Sequence, residues 1–125
     1  LGAADRLTTV HIDFGEVGAF GFPRDANGTK PMWSMYSGSI IGHKPSVVFI
    51  DGRWRVACAL TTLTYVPHRP IIMIHDYSRR KEYYVVEEFM DKIGYRDALA
   101  VFIPKKSIDR DRLRARLLEY IHAPL

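Results

Sequence analysis

A chain of 125 residues, 47% apolar, has the size of one ordinary domain and enough hydrophobic material for a core. Eighteen basic against 14 acidic residues give a net charge of +4, which leans toward anionic partners. Arg110, Arg112, Arg114 and Arg116 are spread around a helix and no recognition motif of the usual kinds occurs, so nucleic acid is not an expected partner. No apolar run approaches the length of a membrane span, and the N-terminus lacks a secretory pattern. The lone Cys58 has no internal disulfide partner; it reads as a small buried hydrophobe, and an intracellular, reducing compartment is expected. The chain opens on Leu1 rather than Met, as expected of a processed or trimmed polypeptide.

In chain order, Leu7–Asp13 carries β-branched residues and predicts a strand with Val10 and Ile12 on one face. Residues 15 to 42 are punctuated by glycines and by Pro23 and Pro31, which predicts a long loop. Phe20, Phe22, Trp33, Met35 and Tyr36 lie within it, so the loop is expected to pack as a lid or collar, with a short helix inside residues 32–41. Val47–Ile50 and Ile71–Ile74 are continuous apolar runs, the pattern of parallel strands covered on both faces. The helical spacing of Trp54, Ala57, Cys58 and Leu60 predicts a crossover helix over residues 53–63. Ser78 is a candidate cap for a helix over Arg79–Ile93, with Val85, Val86, Phe89, Met90 and Ile93 on one face and Gly94 closing it. Ala98–Ile103 predicts another strand, stopped by Pro104. Ser107 or Asp109 caps a last helix with a stripe of Leu113, Leu117, Tyr120 and Ile121. This alternation predicts a single α/β domain over residues 1–125, with a mainly parallel sheet and flanking helices.

Asp51 and the pair His75-Asp76 end the two central strands, at the sheet edge where open α/β sheets bind ligands. On neighbouring strands the two carboxylates stand roughly 5 Å apart. That separation lets Asp51 and Asp76 share a hard cation such as Mg²⁺; the competing reading is that each caps the helix that follows it. His75 is a candidate general base or metal ligand, or else a buried structural histidine. Arg53 and Arg55 are candidates for binding an anionic substrate or for surface pairing. Arg79 and Arg80, with Lys81, would oppose a helix dipole at their position, which points to a nearby anion. The other histidines lack metal-ligand spacing, and neither a Walker loop nor a dinucleotide fingerprint is present.

The strings VVFIDGRWRVACAL, IIMIHDY followed by RRKEYYVVEEF, and ALAVFIPK, with FGFPRD and WSMYSGSI upstream, resemble class I S-adenosylmethionine-dependent methyltransferase-like proteins. The likeness is to their C-terminal half, and in particular to uncharacterised members reading VDGRFRVACAL. It implies a Rossmann-like methyltransferase fold lacking its first two strands, with Leu7–Asp13 as third strand, Val47–Asp51 as fourth and Pro70–Asp76 as fifth. It further implies Asp51 and Asp76 as Mg²⁺ ligands; beside it, the residues themselves give Asp51, His75 and Asp76 as catalytic candidates and Arg53, Arg55, Arg79, Arg80 and Tyr77 as substrate-binding candidates. Where metal-dependent relatives have asparagine after the second aspartate, this chain has Tyr77. The glycine turn and acidic residue that hold S-adenosylmethionine in such enzymes are missing from the sequence. The resemblance therefore implies cofactor binding only once another polypeptide or an N-terminal segment completes the sheet beside Val47–Ile50. Two functions are expected: O-methyl transfer to a small or glycan-like acceptor, or a catalytically inactive subunit of a larger assembly.

Overall fold

The computed structural model describes residues 6–125. Four strands form one sheet in the order β1-β2-β4-β3: β1 Val47–Ile50, β2 Ile71–Ile74, β3 Met90–Arg96 and β4 Leu99–Pro104. β1 and β2 are parallel, and β4 is antiparallel to both β2 and β3. The α/β class read from the apolar runs is the observed one, but only the β1–β2 pairing is parallel, so the sheet is mixed rather than the mainly parallel one expected. Helix α1 spans Ala26–Thr29, α2 Trp33–Gly38, α3 Arg55–Tyr65 and α4 Arg110–Tyr120. No helix among the described residues is long and apolar enough to cross a membrane.

The main core lies where α3 and α4 cover the sheet. Leu60, Ile72, Ile74, Ala100 and Phe102 are fully buried there, with Leu113 and Leu117 supplied by α4. Asp109 caps α4, its side chain accepting from the amides of Asp111 and Arg112 at 3.1 Å each. A second cluster of Phe14, Trp33, Trp54 and Ala57 joins the loop region to the start of α3. The expected collar is thus formed by Phe14, Trp33 and Tyr36, whereas Phe20 and Met35 stay exposed.

Two expected elements differ. Leu7–Asp13 forms no strand, and its Leu7 and Val10 are exposed. Among the described residues nothing pairs with it, and an extended segment without a partner gains no ladder. The helix expected over Arg79–Ile93 is instead a 3-10 segment, Lys81–Glu88, followed by β3. Its buried residues Tyr83, Val86 and Phe89 recur every third position, which is the 3-10 period. Aromatic and β-branched residues also weaken an α-helix there. Gly94, read as a helix end, lies in β3 beside a register shift. β3 returns to β4 through Asp97-Ala98, with Asp97 at φ 54°, a hairpin turn written without the Asn-Gly signature.

Candidate functional site

Register brings the two acidic tips together. Ile50 pairs with Ile74, so Asp51 and His75-Asp76 leave adjacent parallel strands at the same end. One donor atom from each of Asp51, His75 and Asp76 falls within 4.8 Å of the others. Asp76 takes a left-handed backbone, φ 55°, a conformation that aspartate tolerates better than most residues.

Arg55 ties the two strand ends to each other. Its side chain is 4% exposed, with Nε donating to Gly52 O at 2.9 Å and Nη1 to His75 O at 2.9 Å. The same guanidinium lies 3.4 Å from Asp76 Oδ2 and 3.6 Å from Asp51 Oδ1. A buried arginine keeps its charge, so these carbonyls and carboxylates are what make its burial tolerable. His75 Nδ1 is 2.9 Å from Asp51 Oδ1. An ionised carboxylate only accepts, so Nδ1 carries the proton and Nε2 is left with a free lone pair.

The turn that presents Arg55 is tightly constrained. Trp54 is buried at φ 54°, a strained conformation for a bulky residue, and is held by Phe14, Trp33 and Tyr36 with ring centroids 5.1–5.5 Å away. A Cβ at Gly52 would meet Tyr36 Oη at 2.1 Å, so any other residue there would have to displace the tyrosine ring. Burial, the largest influence, raises the Tyr36 hydroxyl above its ordinary value.

Beside these residues opens a cleft of about 800 Å³, with Asp51, Asp76, Arg53 and Arg80 on its walls along with Phe20 and Phe22. Arg53 lies with its guanidinium carbon 4.7 Å from the Phe22 ring centroid. A neighbouring hollow shares Asp76 and Arg80 and adds Arg79. The structure therefore gathers Asp51, His75, Asp76, Arg53 and Arg80 at one place and leaves Arg79 at its margin.

Several expected roles change. Neither aspartate caps a helix: Trp54 occupies the N-cap position of α3 and Arg80 that of the 3-10 segment, without side-chain caps. Arg55 is not a free substrate-binding group, because its N–H groups are spent on the strand ends. Tyr77 is 1% exposed and faces the core, where its hydroxyl donates to Glu87 at 2.7 Å. Burial first, and then that hydrogen bond, push the pKa of its hydroxyl upward. The expected Mg²⁺ fits this donor set poorly. Magnesium favours oxygen ligands in a near-octahedral shell, whereas here a nitrogen donor joins two carboxylates that already face a guanidinium. S-adenosylmethionine likewise has no glycine-turn cradle in these residues, since β1 is the first strand described. The residues that sequence reasoning passed over are Gly52 and Trp54. Only the crowding of glycine, arginine and tryptophan after Asp51 hinted at a constrained turn.

No protein-family model matches the sequence, and no curated protein matches it. Among solved structures, the chain is similar to a methyltransferase-like protein from Silicibacter pomeroyi, with a TM-score of 0.77 and 29% sequence identity. The match covers 92% of this chain and 61% of that protein's chain, so the present chain spans less than two thirds of it. The four-stranded sheet, its flanking helices and this likeness together make the architecture a methyltransferase-like α/β fold.

Proposed function

We propose that the chain forms part of a methyltransferase-like domain that methylates a hydroxyl oxygen of a small or glycan-like acceptor. The observation that carries this reading is the Asp51–His75 hydrogen bond beside the cleft, at the carboxyl ends of β1 and β2. With Nδ1 held by Asp51, His75 is oriented to take the acceptor's hydroxyl proton at Nε2. Asp76 and Arg55 position the dyad. S-adenosylmethionine, when bound, supplies a sulfonium methyl group; the oxygen–carbon bond forms as the carbon–sulfur bond breaks. The cofactor's cradle comes, in this reading, from polypeptide that adds to the sheet along β1. Val47 and Phe49 are exposed on that strand, and no described residue pairs with its outer edge.

Transfer of labelled methyl groups to hydroxylated acceptors tests the reading on the completed protein. His75→Gln and Asp51→Asn are expected to lower the rate on the order of 10²-fold or more while cofactor binding persists. Absence of both transfer and cofactor binding in the unaltered protein would leave the second reading, an inactive subunit. That reading is favoured by the guanidinium lodged between the two carboxylates.

A further inference from the structure

The acidic and basic walls of the cleft differ in how far their charges are already answered. Asp51 and Asp76 both face Arg55, and Asp51 also holds His75. Arg53, by contrast, forms no ion pair among the described residues, although it lines the cleft. Its guanidinium is steadied on the Phe22 ring, and its N–H groups have no hydrogen-bond partner among the described residues. Arg80 has one partner, Glu82, at 3.5 Å, and both side chains are more than 40% exposed. Such a pair holds its charge weakly.

The same wall carries an aromatic ring placed at some cost. Phe20 is 86% exposed and adopts φ 58°, ψ 22°, in the short 3-10 turn Ala19–Gly21. A left-handed backbone is unfavourable for a residue with a side chain. The exposed ring stands on the cleft wall, where its face is available to stack on a ligand. Gly21 follows at φ 77°, with its missing Cβ 3.8 Å from Arg53 Cγ, so the turn packs against the stem of Arg53.

We infer that the cleft takes an anionic polyhydroxylated ring, a sugar bearing a carboxylate or a phosphate, with the anion on Arg53 and the ring against Phe20. Arginine's planar fork suits both oxyanions. The volume suits one or two such rings, because ligand sites of this kind measure roughly 300–1,000 Å³. Seated in this way, a ring hydroxyl reaches the wall that carries Asp51. The inference deepens the acceptor reading above and rests on it for the role of that hydroxyl; the binding itself needs no cofactor.

Calorimetric titration of the purified protein with D-glucuronate, D-glucose 6-phosphate and D-glucose, at low ionic strength, tests it. At least one of the two anionic sugars is expected to bind. Arg53→Gln is expected to weaken that binding tenfold or more without moving the thermal midpoint, and Phe20→Ala to weaken it severalfold. Glucuronate alone identifies a carboxylate acceptor, glucose 6-phosphate alone a phosphorylated one, and both a site that reads charge. Equal binding of glucose, unchanged affinity in Arg53→Gln, or no binding of any of the three overturns the inference. Should Arg53→Gln fail to fold, Arg53→Lys keeps the charge while losing the fork, and its affinity is expected to fall between the two. Anion binding by the completed protein with neither methyl transfer nor cofactor binding sinks the enzymatic reading alone. Methyl transfer to neutral acceptors without anion binding sinks this inference alone.

Discussion

β3 and β1 are both outer strands, yet only one of them is protected. β3 displays Asp91, Lys92 and Arg96 and breaks register between Lys92 and Gly94, two devices that discourage a further strand from docking. β1 is four apolar residues long, Val47, Val48, Phe49 and Ile50, with Val47 51% and Phe49 58% exposed. A groove runs beside it, walled by Val10, Ile40 and Phe49, and Cys58 lies at its floor. One edge thus ends the sheet by its own chemistry, while the other carries no such device among the described residues. The candidate site lies at the unprotected strand, because the same β1 delivers Asp51 to the cleft.

The largest effect is expected from Arg55→Ala. Removal of the side chain leaves the carbonyls of Gly52 and His75 without their donor, at a cost of about 1–3 kcal/mol, and β1 has only a four-residue ladder to fall back on. Denaturant unfolding measures the total. Amide exchange sharpens the contrast, with protection lost first at Phe49 and Ile50 and retained along the β3–β4 ladder; uniform loss would mean that the two edges do not differ in stability.

A milder test converts one edge into the other. Phe49→Lys gives β1 the charge that β3 carries, and is expected to change stability by no more than about 0.5 kcal/mol, since the position is exposed. Light scattering is expected to show less self-association, or less capture of a completing strand. The reverse change, Lys92→Val, is expected to promote association.

Cys58 reports on the open edge chemically. Burial pushes its thiol up to about 12, so little thiolate exists at neutral pH and alkylation is expected to be slow in the folded protein. Faster alkylation in Arg55→Ala than in the unaltered chain would show that β1 opens locally.

The smallest effect concerns the protected side. Glu88, just before β3, is bonded to Arg112 and Arg116, with the Arg112 hydrogen bond the largest influence holding its carboxyl below the ordinary 4.5. A depressed folded-state value stabilises above the unfolded one, and that contribution is lost as pH falls through and below it. Glu88→Gln is expected to cost no more than about 1 kcal/mol and to flatten the acid limb of the stability profile.

What could be read from the letters follows the same division. Continuous apolar runs identify β1 and β2 because full burial or a missing neighbour leaves no polar alternation to confuse them. Asp51 and Asp76 were legible as a pair because parallel register dictates where strand ends meet. β3 was hidden: a charged edge strand such as Asp91–Arg96 imitates an exposed helical face, and Gly94 imitates a helix stop. The role of Arg55 was also out of reach, since whether an arginine after a strand faces solvent or the strand ends depends on the left-handed turn at Trp54. That turn in turn depends on aromatic groups from Phe14 to Tyr36, contributed from a loop with no regular pattern of its own.

Both tryptophans of the chain, Trp33 and Trp54, stand 5.3 Å apart in that cluster, and Trp54 borders the cleft. All indole emission therefore originates next to the site. The protein comes with its own optical gauge of ligand occupancy, read by fluorescence or near-ultraviolet dichroism without attaching a dye.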